Sequence, residues 1–150
     1  MKRISIATLL ALASLVMLLV ISVQARADGK GELQKYFSDA SHKVKATDSP
    51  AEKRNILNQS FHTMNKVLDM VEDSPTVSKA DLAGINLLKA SLRDKQNELA
   101  GTNGYTRVPD ERLNAFSDYV VQDMEQADQI ITISLVTLLL IIILIVLLIK

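Results

Sequence analysis

The sequence predicts an all-α protein: a small up-down antiparallel four-helix bundle whose last helix continues into a C-terminal transmembrane helix, with a signal peptide helix at the N-terminus. Three observations carry this. Apolar residues recur at helical spacing through the middle of the chain, and no segment there alternates as a half-buried strand would. All three prolines fall where a helix would begin. Each end of the chain holds an uncharged run of 20 residues, Ile4–Val23 and Ile130–Ile149.

At the N-terminus, Lys2 and Arg3 lead into the first of these runs, and Ala25-Arg26-Ala27 follows it. A positive start, an apolar stretch and an A-x-A site define residues 1–27 as a secretory signal peptide cleaved after Ala27. The long apolar stretch also suits an uncleaved signal anchor. In either case residues 28–129 lie on the same side of the membrane.

Four helices follow, expected over 31–46, 50–73, 78–100 and 109–149. The first carries the stripe Leu33, Tyr36, Phe37, Ala40 and Val44. The second opens on Ser49-Pro50-Ala51-Glu52, a capping box with proline at the first helical position, and carries Ile56, Leu57, Phe61, Met64, Val67, Leu68 and Val71. The third opens on Ser78-Lys79-Ala80-Asp81, a serine cap with an acidic third residue. Its stripe of Ile85, Leu88, Leu92 and Leu99 is interrupted by Lys95 and Gln96. The fourth opens on Pro109-Asp110-Glu111, with carboxylates where the helix dipole favours them, and carries Leu113, Phe116, Val120, Met124, Ala127 and Ile131. Asp128-Gln129-Ile130 contains neither Gly nor Pro, so this helix is expected to run unbroken to its end. Short connections make successive helices antiparallel neighbours.

Residues 130–149 form the expected transmembrane helix. A 20-residue helix is about 30 Å long, one hydrocarbon core. Its only polar side chains are Thr132, Ser134 and Thr137, whose hydroxyls can bond back to helix carbonyls. It holds no charge to mark an ion path and no Gly for a close helix–helix seam. Residues 28–129 carry 13 Lys+Arg against 17 Asp+Glu, a net of −4, while Lys150 closes the chain. Charge asymmetry therefore places 28–129 outside the cytoplasm, which is the periplasm if the source is a Gram-negative bacterium, and Lys150 inside.

Composition removes several function classes. There is no Cys, hence no disulfide, thiolate metal site or Cys nucleophile. Net charge is zero over the whole chain, with no basic footprint for nucleic acid. His42 and His62 lie opposite the apolar stripes of their helices, and Met64 and Met124 lie on theirs, which suits core filling. Gly101-x-x-Gly104 follows a helix and lacks the lysine of a phosphate loop. Asn58-Gln59-Ser60 matches a glycosylation sequon inside a helix. The sequence thus predicts no catalytic residues, no metal and no cofactor.

Two surfaces remain as contact candidates. The longest loop, 101–108, carries Tyr105 and Arg107, residue types that anchor interfaces. On the third helix, Lys95 and Gln96 break the stripe while Leu87 lies off it, suggesting a second, partner-facing side. Residues 30–54 have a net charge of +2 and residues 109–129 of −5. That asymmetry aligns the first helix with the fourth, within one chain or between two copies. The expected function is a non-enzymatic, single-pass membrane-anchored protein presenting a helical bundle for protein–protein interaction. Its expected partners are membrane lipid through Ile130–Ile149 and an unidentified protein or a second copy. The alternative is a ligand-binding or sensory bundle acting through a membrane partner, with a cavity near Lys95 and Gln96.

Overall fold

A computed structural model describes residues 31–131 and 133–149. The signal peptide expected over 1–27, and Lys150, lie outside the described residues. The protein is all-helical: among the described residues there are five α-helices, α1 (Glu32–Ala46), α2 (Pro50–Glu72), α3 (Lys79–Ala100), α4 (Leu113–Ile130) and α5 (Leu135–Ile149), and no strand. A short 3-10 turn, Asp110–Arg112, precedes α4.

The starts of α2 and α3 follow from their caps. The Ser49 hydroxyl accepts from the Glu52 N–H at 3.3 Å, and the Ser78 hydroxyl from the Asp81 N–H at 3.1 Å. Each satisfies one of the donors a helix leaves open at its first turn. The Glu52 carboxylate turns to the Thr47 hydroxyl at 2.7 Å, tying down the α1–α2 turn.

The expected apolar stripes form one core. Leu33, Phe37 and Val44 of α1 meet Leu57, Phe61, Met64, Val67, Leu68 and Val71 of α2, Ile85, Leu88, Leu92 and Leu99 of α3, and Leu113, Phe116, Val120 and Met124 of α4. Phe37 and Phe61 pack at 5.9 Å between ring centroids. α1 packs most extensively on α4, and α2 touches α1, α3, α4 and α5.

Polar ties fix the pairings. Lys89 of α3 reaches Asp69 and Glu72 of α2, both at 2.6 Å. Between α1 and α4, the Ser41 and Ser117 hydroxyls meet at 2.9 Å, Ser41 donates to Asp118 at 3.2 Å, and Lys45 pairs with Asp118. The basic first helix and acidic fourth helix are therefore matched within one chain. Lys45 holds the Asp118 carboxyl below the usual carboxylate range, against partial burial that pushes the other way, with Ser41 assisting. A carboxyl lowered by folding stabilises above its unfolded value and loses that contribution as pH falls. The melting temperature is thus expected to drop as pH goes below about 4, and Lys45→Ala to flatten part of that dependence. Equal pH profiles for the two proteins would contradict the tie.

The fourth helix departs from expectation at both ends. It does not start at Pro109, which is extended, but after the 3-10 turn. It also does not continue to residue 149: Ile131 is extended (φ −83°, ψ 115°), and a separate helix starts at Leu135. Ile130-Ile131-Thr132-Ile133 are four consecutive β-branched residues, which crowd a helix, and Ser134 after them is a capping residue. The Ser134 carbonyl accepts the first turn's bond from the Leu138 N–H at 3.0 Å. The hydroxyls of Ser134 and Thr137 donate to Asp81 of α3, not to helix carbonyls as expected. α5 turns back along α2 and buries Leu138 and Ile141. No helix among the described residues is long and apolar enough to cross a membrane.

Candidate functional site at the α3–α4 loop

The loop between α3 and α4 is held from three sides. Gly101 ends α3 in the left-handed conformation (φ 73°), and its N–H donates to the Asn97 carbonyl at 2.8 Å. The Asn97 side chain accepts from the Thr102 hydroxyl and from the Asn103 amide, each at 3.0 Å. Asn103 (φ 53°) and Gly104 (φ 86°) are the central residues of a tight turn closed by the Tyr105 N–H on the Thr102 carbonyl at 3.1 Å. Asn-Gly is the pair such a turn prefers, because both residues tolerate positive φ.

Arg54 supplies the third side. Its largely buried guanidinium donates to the Leu99 carbonyl at 3.1 Å, to the Val108 carbonyl, and through Nε and Nη2 to Asp110 at 3.0 and 2.7 Å. One planar group thereby joins the end of α3, the end of the loop and the start of the 3-10 turn. A lysine has no fork with which to do this. The Val108 N–H adds a bond to Glu98 at 3.3 Å.

The loop thus projects Tyr105 and Arg107 from a fixed backbone. Both are exposed. Arg107 has an ion pair with Asp110 at 3.7 Å between two solvated groups, which is worth little and leaves its donors open to a partner. An aromatic and an arginine held in place bind at lower entropic cost than the same pair on a mobile loop. Arg54 was not singled out in the sequence. The signal for it was the charge contrast between residues 30–54 and 109–129.

The third-helix candidates separate. Leu87 is exposed on α3, as expected. Lys95 is not a surface contact: it is 4% exposed. Its ammonium donates to Tyr119 at 2.8 Å and Glu98 at 3.1 Å, and pairs with Asp123 at 2.7 Å. Burial pulls the lysine down, but the contacts with Asp123, Tyr119 and Glu98 outweigh it and hold Lys95 above the ordinary lysine value. Gln96 is engaged with Asn65 of α2 at 3.1 Å. Lys95 is buried and Gln96 half-buried, and α4 and α2 respectively supply their partners.

His42 and His62 are exposed, and Met64 and Met124 are in the core. His62 lines an open cleft of about 770 Å³ with Tyr36, Lys43, Ile56, Leu148 and Ile149. Among the described residues, no group of three or more His, Asp or Glu is placed to hold a metal ion. No protein-family model, curated protein or solved structure matches the chain.

Proposed function

We propose that this chain is a non-enzymatic protein anchored in a membrane by Ile130–Ile149. In this reading it presents an up-down bundle of α1 to α4 outside the cytoplasm and works by protein contact. The observation that supports anchoring is the bare face of α5. Val136, Ile143 and Leu147 are 65%, 52% and 64% exposed, on a helix with no polar residue after Thr137. Water penalises such a face, and patches of this kind mark membrane or protein contact. In the anchored form the segment from Ile130 becomes one helix of 20 residues, long enough for the hydrocarbon core.

The contact site in this reading is the braced loop with Tyr105 and Arg107. Crosslinking of the full-length, membrane-embedded protein, followed by mass spectrometry, is expected to return a reproducible partner or a second copy. Tyr105→Ala and Arg107→Ala are each expected to weaken capture about tenfold or more without changing the melting temperature. Capture that ignores both substitutions would move the contact elsewhere, to the Leu87 side of α3 first.

A further inference from the structure

Among the described residues, the apolar C-terminal segment has its side-chain hydrogen bonds to the rest of the protein at one point, Asp81. Asp81, in the first turn of α3, is 5% exposed. Its carboxylate accepts from the Ser134 backbone N–H at 2.9 Å, the Ser134 hydroxyl at 2.6 Å and the Thr137 hydroxyl at 2.7 Å. Ser134 is also the cap of α5, accepting from the Thr137 N–H at 3.4 Å. The carboxylate therefore lies at the starts of α3 and α5 together, where both helix dipoles favour a negative charge. Two of the three polar side chains in the segment are spent on this one acceptor.

From that point α5 runs back along α2, with Leu138 and Ile141 buried and Leu148 and Ile149 beside the Ile56–Thr63 stretch. One face is docked and the other is bare. A bilayer would cover the whole circumference. We propose that Asp81 is a latch: it holds the apolar helix on α2 when no bilayer is at hand and releases it as the helix enters lipid. This rests on the membrane reading above and adds to it a second seat for the same segment. A bilayer shifts the balance only by its differential affinity for the two states. The bare face favours lipid, and the bonds to Asp81 oppose departure. Asp81 is not on the helix that moves. Its replacement therefore weakens the docked seat without altering the helix's own affinity for lipid.

The chain has no cysteine, so Ile143→Cys on the bare face gives a single labelling site. The full chain, carrying a polarity-sensitive dye there, is titrated with vesicles of equal parts phosphatidylethanolamine and phosphatidylglycerol. Quenching by acyl-chain-brominated lipid reports entry of position 143 into the hydrocarbon. Asp81→Ala is expected to shift insertion to about tenfold lower lipid concentration, the worth of a single charge-assisted hydrogen bond. Asp81→Asn, which keeps the shape and one acceptor, is expected to shift it less. Without lipid, the Ser134 amide is expected to be protected from hydrogen exchange in the parent and to exchange freely in Asp81→Ala. Where Asp81→Ala fails to fold, Asp81→Asn decides. Folded Asp81 variants that insert no more readily than the parent overturn the latch and leave the membrane reading intact. Position 143 staying out of lipid in every variant overturns both.

Discussion

Lys95→Ala is expected to lower the unfolding free energy by about 3 kcal/mol, the lower end of what breaking a buried ion pair costs. Thermal melting would then fall by about 12 °C for a domain of this size. The lysine is 4% exposed and its ammonium meets Asp123 at 2.7 Å, Tyr119 at 2.8 Å and Glu98 at 3.1 Å. It also lies 4.0 Å from the Tyr119 ring centroid. Truncation removes the side chain that bridges α3 to Tyr119 and Asp123 of α4 and leaves two carboxylates without their cation. Those side chains keep about a quarter of their surface in water, at 26% and 25%, which keeps the cost from rising further. Lys95→Met keeps the stem and loses the charge, so it should fall between parent and alanine. Denaturant unfolding of the three proteins measures this. A loss under about 1 kcal/mol for Lys95→Ala would mean that the network behaves as a surface pair.

Gly101→Ala is expected to cost about 2–3 kcal/mol and to displace the loop. The left-handed conformation alone costs an alanine roughly 1–2 kcal/mol. Beyond that, a Cβ at Gly101 would stand 2.6 Å from the Arg107 nitrogen and 2.8 Å from its Cα, backbone atoms with no rotamer by which to yield. The loop has to move, and it carries Tyr105 and Arg107 with it. Gly104→Ala is the internal comparison: its φ is also positive, but nothing lies within 4 Å of a Cβ there, so only the conformational cost of roughly 1–2 kcal/mol remains. Partner capture should therefore suffer far more from Gly101→Ala than from Gly104→Ala. Equal losses in stability and capture would contradict a loop braced against its own helix end.

The helices were legible in the sequence because periodicity and caps agreed. Pro50 behind Ser49, and Ser78 three residues ahead of Asp81, fixed two starts to within a residue. The stripes named the core, down to Met64 and Met124. Lys95 was ambiguous because its register and its charge pointed opposite ways. The register prevailed, since Asp123 and Tyr119 lie on another helix and are invisible to any pattern along α3. Arg54 was hidden for the same reason: its acceptors at Leu99, Val108 and Asp110 are 45 or more residues away. The break after Ile130 had a local cause in the β-branched run and Ser134. Absence of Gly and Pro was the wrong criterion there, because a serine cap ends a helical register as effectively when a buried carboxylate such as Asp81 answers it.

In the proposed reading, Ile130–Ile149 anchors the protein with residues 28–129 outside the cytoplasm. Membrane extraction at alkaline pH, combined with protease added from the non-cytoplasmic side, tests it most directly. An anchored chain resists extraction while its helical domain is cut from outside. Release of the intact chain with the soluble proteins, or a domain shielded until the cytoplasmic side is opened, would contradict it.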